Sequence, residues 1–377
     1  PLSNGRYFQL QIASPDSKGA AAVTIEVATL SSPIALAAPT NQPLATLPNA
    51  AALGDLDGDG DLDIAFALPG ATPAANGSVS ILVNQGVVGN RWLGFAAGAQ
   101  IAVGSQPSAI AIGRLNGDGA LDIAVANAGS DSVTILANSG TGGFSVTGVI
   151  PVGDAPMGLA IAPVGESPGP ETQGDIAVVN ASSGTFQILK NNGFGTFLPS
   201  QPIPVGAVPC TIDPSDTDNN GAIDFIVSCA GIDGQGSTIV TLLNIAGSLV
   251  PVASQEVGAH PIAQIVVDLN GDGFDDVVTA NSMGSSVSVL VNPANGTGSF
   301  NPAVDVPIGF APLSIAPIDI DTDGDVDIAV VATNGSGERV VRVLRNDTNG
   351  GAQLTLVLAA DQPSTGIPKL VLAGDVD

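Results

Sequence analysis

The stretch GDLDGDGDLDIAFAL, residues 54–68, sets a cluster of carboxylates directly against an apolar run. A close copy, VDLNGDGFDDVVTAN, lies at 267–281. In both copies, acidic or amide side chains occupy positions 1, 3 and 5, a glycine occupies position 6 and an aspartate position 9. A loop of this kind can curl until its oxygen-bearing side chains converge, because the glycine permits a sharp turn. The stretch therefore predicts a cation-binding loop between two strands.

The arrangement recurs along the chain in a fixed register. A proline precedes position 1 of each acidic loop by seven residues, and an SVSILVN-like run follows the loop. The repeats begin near residues 48, 107, 156, 209, 261, 312 and 368. Their short apolar runs are rich in Val and Ile and are bounded by Gly, Asn or Pro, which is typical of strands. Four strands in a repeat of roughly 50 residues is the size of a β-propeller blade.

These repeats predict an all-β fold, a seven-bladed β-propeller that forms a single domain over residues 1–377. The N-terminal region supplies three strand-like runs at 6–13, 21–30 and 33–39, and the tail PKLVLAGDVD supplies a first strand. We therefore expect the last blade to be shared between the two termini, which removes open sheet edges. The alternative is six blades with an N-terminal arm. Because Asp375 and Asp377 start a loop that is not completed, we also expect the chain to be a fragment of a larger protein.

The acidic loops predict about four Ca²⁺ sites. Calcium takes six to eight oxygen ligands, whereas crowded carboxylates without a cation repel one another. Position 7 can add its backbone carbonyl, whatever its side chain. The predicted ligands are Asp55, Asp57, Asp59, Asp61 and Asp63; Asp216, Asp218, Asn220, Ala222 and Asp224; Asp268, Asn270, Asp272, Phe274 and Asp276; and Asp319, Asp321, Asp323, Asp325 and Asp327.

Two copies depart from this set. The second has Arg114 at position 1, followed by Asn116, Asp118 and Asp122, so a guanidinium can replace the ion and we expect weak metal binding or none. The third copy, VGESPGPETQGD, has no ligand pattern.

Cys210 and Cys229 are the only cysteines, and they flank the fourth loop on the strands that enter and leave it. They predict a disulfide across the hairpin if its geometry allows one; the alternative is two buried reduced thiols.

Composition excludes some classes of function. The net charge is −26, with nine Lys and Arg against 35 Asp and Glu, so a nucleic acid partner is disfavoured. No apolar stretch of 18 residues is present, which argues against a membrane span in this segment. The single histidine, His260, is interpreted as a loop residue. With a single histidine and no HExxH motif, we expect no catalytic residues and a protein that is not an enzyme.

Taken together, these loops resemble the FG-GAP/VCBS repeats, which also build the propeller heads of integrin α-subunits. The features that match are D-x-[DN]-x-D-G-x-x-D between two strands, the SVSILVN run, and then Gly143-Phe144 or Ser299-Phe300. The resemblance implies a calcium-binding propeller. It also implies a secreted or cell-surface structural, adhesion or protein-interaction module, whose partners are other extracellular proteins, glycans or copies of itself. Alternatives are a lectin-like propeller and a polysaccharide lyase or hydrolase.

Overall fold

The structure, a computed structural model, describes residues 7–13, 21–28, 41–44, 46–88, 91–165, 173–320, 323–333, 337, 339–347 and 356–358. All the regular elements in this part of the chain are β-strands. Among the same residues there is no helix of the length and hydropathy that a membrane span requires.

The N-terminal strands β1 (Tyr7–Ala13), β2 (Ala21–Ala28) and β3 (Asn41–Leu44) form a three-stranded sheet in that order. Six larger sheets follow, and we call them blades 1 to 6. Blade 1 contains β4 (Ala50–Gly54), β5 (Asp63–Leu68), β6 (Asn76–Asn84) and β9 (Phe95–Ser105), and it carries a small hairpin of β7 (Val87–Val88) and β8 (Arg91–Trp92).

Blades 2 to 4 keep the sequential order of strands. Blade 2 consists of β10 (Pro107–Gly113), β11 (Asp122–Asn127), β12 (Ser132–Asn138) and β13 (Phe144–Pro151). Blade 3 consists of β14 (Pro156–Ala162), β15 (Asp175–Asn180), β16 (Thr185–Asn191), β17 (Phe197–Pro199) and β18 (Ile203–Pro204). Blade 4 consists of β19 (Pro209–Ser215), β20 (Asp224–Cys229), β21 (Thr238–Ile245) and β22 (Ser248–Glu256).

Blades 5 and 6 repeat the same order. Blade 5 consists of β23 (Pro261–Val267), β24 (Asp276–Asn281), β25 (Ser286–Leu290) and β26 (Val304–Pro307). Blade 6 consists of β27 (Ala311–Ile318), β28 (Asp327–Thr333), β29 (Arg339–Asn346) and β30 (Leu356–Leu358). By its contacts the chain divides into two compact units, one with Ile34–Ile212 and the other with Asp213–Asp375 as its main segment.

The number of complete blades corrects the sequence prediction. We predicted seven, whereas the described residues form six, so the alternative of six blades fits. The predicted N-terminal strands at 6–13 and 21–30 are present as β1 and β2. The third predicted run, 33–39, and the tail 368–377 lie outside the described residues, so the sharing of a blade between the termini has no support from the described strands.

Burial explains why the second strand of each blade is the most apolar. Every residue of β5, β11, β15, β20 and β24 is buried. These strands need apolar side chains on both faces because they pack between neighbouring blades. Ala65 and Ile81 of blade 1, for example, share a core cluster with Ile123, Val125 and Leu136 of blade 2. The chain thus buries small aliphatic side chains between sheets and needs few aromatic residues.

Several repeats end in a Val-Gly pair, such as Val152-Gly153, and the glycine of this pair has a packing role. A Cβ atom on Gly153 would lie 2.8 Å from Cγ of Asn180, the buried residue that ends β15. We expect Gly153→Ala to lower the free energy of unfolding by about 1–3 kcal/mol, because the added methyl group has no space. The control is Gly148→Ala in β13, where the nearest atom is at 3.7 Å. Chemical denaturation of both variants measures the difference, and equal stabilities would contradict the packing role.

The predicted disulfide is not formed. Cys229 is buried, Cys210 is partly buried, and no disulfide joins them. In blades 2, 3 and 5 the residue equivalent to Cys229 is an asparagine that lies opposite the first-strand proline, as in the pair Pro107 and Asn127, and not opposite the residue after it. Burial also raises the pKa of the Cys229 thiol to about 12, which keeps it protonated and unreactive.

Candidate metal centres

The aspartate at position 9 begins the second strand of every blade and is buried. Its two carboxylate oxygens accept main-chain N–H groups from two separate segments. In blade 1, Asp63 accepts one from Leu56 at 2.8 Å and one from Asn84 at 2.8 Å. The same pair of hydrogen bonds occurs in the other five blades, at Asp122, Asp175, Asp224, Asp276 and Asp327. We call this buried aspartate the hub of its blade, because it ties the loop to the end of the third strand.

The blade 1 loop folds its other acids back over the hub. Asp55 accepts N–H groups from Gly58 at 2.7 Å and from Gly60 at 3.1 Å, and so closes the turn. Gly60 has a φ of 96°, a conformation that glycine adopts without strain. As a result, carboxylate oxygens of Asp55, Asp57 and Asp63 all lie within 4.8 Å of one another.

The blade 4 loop has the same geometry. Asp216 accepts N–H groups from Asn220 and Gly221, both at 2.9 Å. Carboxylate oxygens of Asp216, Asp218 and Asp224 lie within 4.8 Å of one another. The Asn220 side chain, the predicted ligand at position 5, donates from Nδ2 to Asp218 at 3.0 Å.

The loops of blades 5 and 6 repeat the turn. Asp268 accepts from Gly271 at 2.8 Å and from Gly273 at 2.8 Å, while Asn270 bonds Asp272 through Nδ2 at 3.0 Å. In blade 6, Asp319 accepts from Gly324 at 3.3 Å. Asp323, Asp325 and Asp327 belong to the same loop, and Asp321 lies outside the described residues.

The blade 2 loop differs at position 1, as predicted. Asn116 and Asp118 bond each other, from Nδ2 to Oδ2 at 2.9 Å and from the main-chain N–H of Asp118 to Oδ1 of Asn116 at 3.1 Å. Asp122 keeps its role as the hub. Arg114 takes part through its main chain, because its carbonyl accepts the N–H of Gly174 at 2.9 Å.

Burial dominates the electrostatics of the hubs. Removal from water raises the pKa of Asp63 to about 6, that of Asp224 to about 6 and that of Asp276 to about 7, although two N–H donors oppose the shift in each case. The pKa of Asp122 is raised for the same reason. In the blade 1 loop, the pKa of Asp57 is raised by burial and then by the charge of Asp59. These carboxyl groups thus lack sufficient compensating positive charge in the protein alone.

Two carboxylate oxygens support the fit to a hard cation. Oδ1 of Asp57 and Oδ1 of Asp319 are buried and accept no hydrogen bond. A buried unsatisfied oxygen is costly unless something binds it. Carboxylate, amide and carbonyl oxygens are the donor set of Ca²⁺, so the residues of these loops suit that ion.

An asparagine at the end of the third strand links each of four blades to the preceding one, and we call it the latch. Asn138 of blade 2 donates from Nδ2 to the carbonyl of Leu56 in blade 1 at 2.8 Å. The equivalent bonds run from Asn191 to Leu115, from Asn292 to Thr217 and from Asn346 to Leu269. Because the accepting carbonyl belongs to the position next to the first loop ligand, each loop is fixed by two blades. The repeated terminal Asn of the SVSILVN runs was the signal for this role, which our sequence analysis missed.

His260 is held by hydrogen bonds to two neighbouring loops. Its main-chain N–H donates to Ser237 Oγ at 3.0 Å, and its Nδ1 lies 2.9 Å from Ser282 Oγ. The Ser282 hydroxyl donates its single proton to the carbonyl of His260 at 3.1 Å. The two contacts share one hydroxyl proton, and the role of Nδ1 depends on the tautomer of the ring.

Comparison with solved structures identifies the class of fold. A putative 6-phosphogluconolactonase from Bacteroides uniformis is 14% identical, with 99% of this chain and 100% of that chain covered and a TM-score of 0.66. A functionally unknown protein from Desulfotomaculum acetoxidans is 12% identical, with coverages of 98% and 100% and a TM-score of 0.65. The periplasmic gluconolactonase of Pseudomonas aeruginosa is 16% identical, with coverages of 80% and 83% and a TM-score of 0.50. At these identities the likeness establishes the fold alone, and the fold is a β-propeller.

Sequence comparison then gives the family. The profile of the FG-GAP-like repeat matches residues 55–125 and 268–330. These segments begin at Asp55 and Asp268, position 1 of two complete acidic loops. These two segments therefore carry FG-GAP-like repeats, which agrees with the β-propeller fold. A comparison with characterised proteins found no match at the sequence level.

Proposed function

We propose that this propeller is a non-enzymatic, calcium-stabilised scaffold that acts outside the cell as a structural, adhesion or protein-interaction module. The observation that carries the proposal is the repetition of one chemical arrangement in several blades. Asp63 and Asp224 are buried hubs, and each adjoins two further carboxylates within 4.8 Å. A site that serves the fold recurs with the fold, whereas an active site usually occurs once.

Calcium has a definite part in this proposal. The ligands are those of blades 1, 4, 5 and 6, which gives about four ions. Each ion neutralises its loop and relieves the burial cost of its hub, so the free energy of binding adds to the stability of the folded state. Since extracellular calcium is abundant, this dependence suits a secreted or surface-exposed protein.

Removal of calcium tests the proposal. We expect EDTA to lower the melting temperature by roughly 10 °C or more at pH 7.5, since several ion-binding energies are lost together. Native mass spectrometry on the same samples should count about four bound ions in 1 mM Ca²⁺. Mg²⁺ at equal concentration is the control, because it demands a tighter octahedral site and should restore little. An unchanged melting temperature in EDTA would refute the calcium role.

The net charge of −26 shapes the choice of partner. The negative charge repels nucleic acids and anionic surfaces. Other extracellular proteins, glycans and further copies of the chain can bind through calcium ions or through uncharged parts of the surface. Binding of the purified protein to a glycan array separates the lectin-like alternative from a protein-binding scaffold. Binding to one defined glycan would favour the lectin.

An enzymatic alternative has one specific candidate group. Asp213 in β19 lies outside the loops, and burial raises its pKa to about 6 against an opposing hydrogen bond from Gln264. Such a carboxyl group suits general acid or base chemistry in polysaccharide cleavage. Turnover on a panel of polysaccharides and sugar lactones, abolished by Asp213→Asn without loss of folding, would replace the scaffold proposal.

A further inference from the structure

Blade 3 lacks the acidic loop but contains a cation of its own. Lys190 immediately precedes the latch Asn191 at the end of β16, and its Nζ atom lies 2.8 Å from Oδ2 of Asp175. The same Nζ donates to the carbonyl of Val164. Asp175 is 3% exposed, whereas the Lys190 side chain is 47% exposed, so the ammonium group reaches a buried hub from the edge of the blade.

The atoms that Lys190 contacts are the counterparts of loop atoms in the other blades. Val164 donates its N–H to Oδ2 of Asp175 at 2.9 Å, as Leu56 donates to Oδ2 of Asp63 in blade 1. Val164 thus occupies position 2 of the missing loop. The ammonium group therefore binds the position 9 carboxylate and the position 2 carbonyl together. In blades 1, 2, 4 and 5 the equivalent carbonyl accepts the latch amide of the following blade.

Charge explains why the third blade tolerates this exchange. A buried carboxylate requires a compensating cation or strong donors. A complete loop gathers four or more acidic or amide side chains, which demand a divalent ion. Among the described residues, blade 3 retains only the hub Asp175 from that set, and a single ammonium group neutralises a single carboxylate. Glu166 and Glu171 of the third repeat lie outside the described residues.

The residue before the latch, or before the equivalent Asn84 and Asn244 of blades 1 and 4, differs between the blades. In blades 1, 2, 4 and 5 it is uncharged, namely Val83, Ala137, Leu243 and Val291. In blade 6 it is Arg345, whose Nε lies 2.8 Å from Oδ1 of Asp347 and whose guanidinium group is therefore paired with the residue after the latch. In blade 3 this position carries a cation that is bonded to the hub.

We propose that the Lys190 ammonium group is the resident cation of blade 3, and that a lysine before the latch excludes metal from a blade by pairing with the hub carboxylate that the ion would otherwise bind. Lys190 thus prevents blade 3 from binding a metal ion, and blade 3 is stable without calcium. The second half of the proposal rests on the proposed calcium sites; the first half does not.

A double-mutant cycle tests the first half. We expect Lys190→Met to lower the folding equilibrium constant by about tenfold or more, because the buried Asp175 carboxylate loses its cation. The loss should be equal in EDTA and in Ca²⁺, since no ligand set remains for an ion to use. Asp175→Asn combined with Lys190→Met should recover part of the loss, because a neutral amide needs no counter-charge.

The results that overturn it are equally definite. Unchanged stability of Lys190→Met in both media shows that the ammonium group is dispensable, and full restoration by Ca²⁺ shows that blade 3 takes an ion after all. If Lys190→Met does not fold, the double variant still decides the question, because recovery of folding requires that the unpaired carboxylate was the cause.

Grafting the lysine tests the second half. Val83 precedes Asn84 in blade 1, beside the hub Asp63. We expect Val83→Lys to bind one Ca²⁺ fewer than the wild type by native mass spectrometry, with a smaller fall in melting temperature on adding EDTA. Val83→Met has a similar length without the charge and should keep the full number of ions.

The two failures are distinguishable. A folded Val83→Lys variant that binds as many ions as Val83→Met overturns the exclusion of metal. A wild type that binds no calcium refutes the proposed function, removes the second half with it, and leaves the Lys190 cycle as the test of the first half.

Discussion

Without calcium, this protein should be more stable at pH 5 than at pH 8. The hubs carry the effect, because burial raises the pKa of Asp63 to about 6, that of Asp224 to about 6 and that of Asp276 to about 7 from an ordinary value of 3.8. A carboxyl group that is raised in this way binds its proton more tightly in the folded chain than in the unfolded chain.

The sign of the pH dependence follows from proton linkage. Between about pH 4 and pH 7 the folded chain holds more protons than the unfolded chain, so the free energy of unfolding falls as the pH rises. The loss is complete above the folded-state pKa values, near pH 7 to 8. One pKa unit corresponds to about 1.4 kcal/mol, so the three buried hubs together amount to several kcal/mol.

Calcium should reverse this dependence. The ion binds the deprotonated carboxylates, so its contribution grows as the pH rises and the hubs ionise. Urea denaturation at pH 5, 6, 7 and 8, with EDTA or with 1 mM Ca²⁺, should give two curves of opposite slope. The difference between them should be largest at pH 8 and small at pH 5.

Net charge contributes in the same direction without calcium, since acid weakens the repulsion within a chain of charge −26. Asp276→Asn separates the two effects, because it removes the hub with the highest pKa and leaves most of the charge. The variant should show a clearly shallower slope in EDTA. A metal-free protein that becomes steadily more stable from pH 5 to pH 8 would contradict the assignment of the hubs.

The repeat register is what made the candidate sites predictable. Asp55 and Asp268 follow their prolines by seven residues, and that spacing placed the loop, its glycine and its position 9 aspartate without any tertiary contact. Local chemistry decides such a turn, because the ligands, the glycine and the flanking strands lie within one hairpin. The family and the all-β propeller fold follow from the same register.

Contacts between segments were beyond the sequence pattern. The bond from Asn138 to Leu56 joins residues of different blades, so no spacing within one repeat indicates it. Lys190 is distant in sequence from Val164, the residue whose carbonyl it bonds. Its other partner, Asp175, could not be recognised as a hub from the sequence, because the third repeat lacks the ligand pattern of the other loops. A repeat that keeps its hub but gains a lysine before the latch was the available signal.

The two incorrect predictions share a cause. Cys210 and Cys229 were paired on sequence distance from the loop, but in an antiparallel hairpin the register decides which residues face each other, and Asn127 faces Pro107 in the equivalent pair. The number of blades was likewise inferred from runs at 33–39 and 368–377, which the described strands do not include. Long-range pairing decided the outcome in both cases.

The hubs also carry a stability role that is separate from metal, and Asp276→Ala should show it. Removal of this carboxylate leaves the N–H groups of Leu269 and Asn292 without their acceptor in a buried site. At about 1–3 kcal/mol for each unsatisfied group, we expect the free energy of unfolding to fall by about 2–6 kcal/mol in EDTA. A further loss should appear in Ca²⁺, since the blade 5 site loses a ligand.

Two matched variants separate the hub from the ion. Asp122→Ala in blade 2 removes the acceptor of Leu115 and Asn138 from a loop with Arg114 at position 1, so its loss should be the same in EDTA and in Ca²⁺. Asp272→Ala in blade 5 removes an outer ligand but no hub, so its loss should appear in Ca²⁺ alone. Calorimetry on the three variants in both media gives six values, and the hub role is wrong if Asp122→Ala is as stable as the wild type.

A loss for Asp276→Ala confined to Ca²⁺ would assign the aspartate to the metal alone, whereas equal losses for Asp276→Ala and Asp122→Ala in both media would assign it to the fold alone.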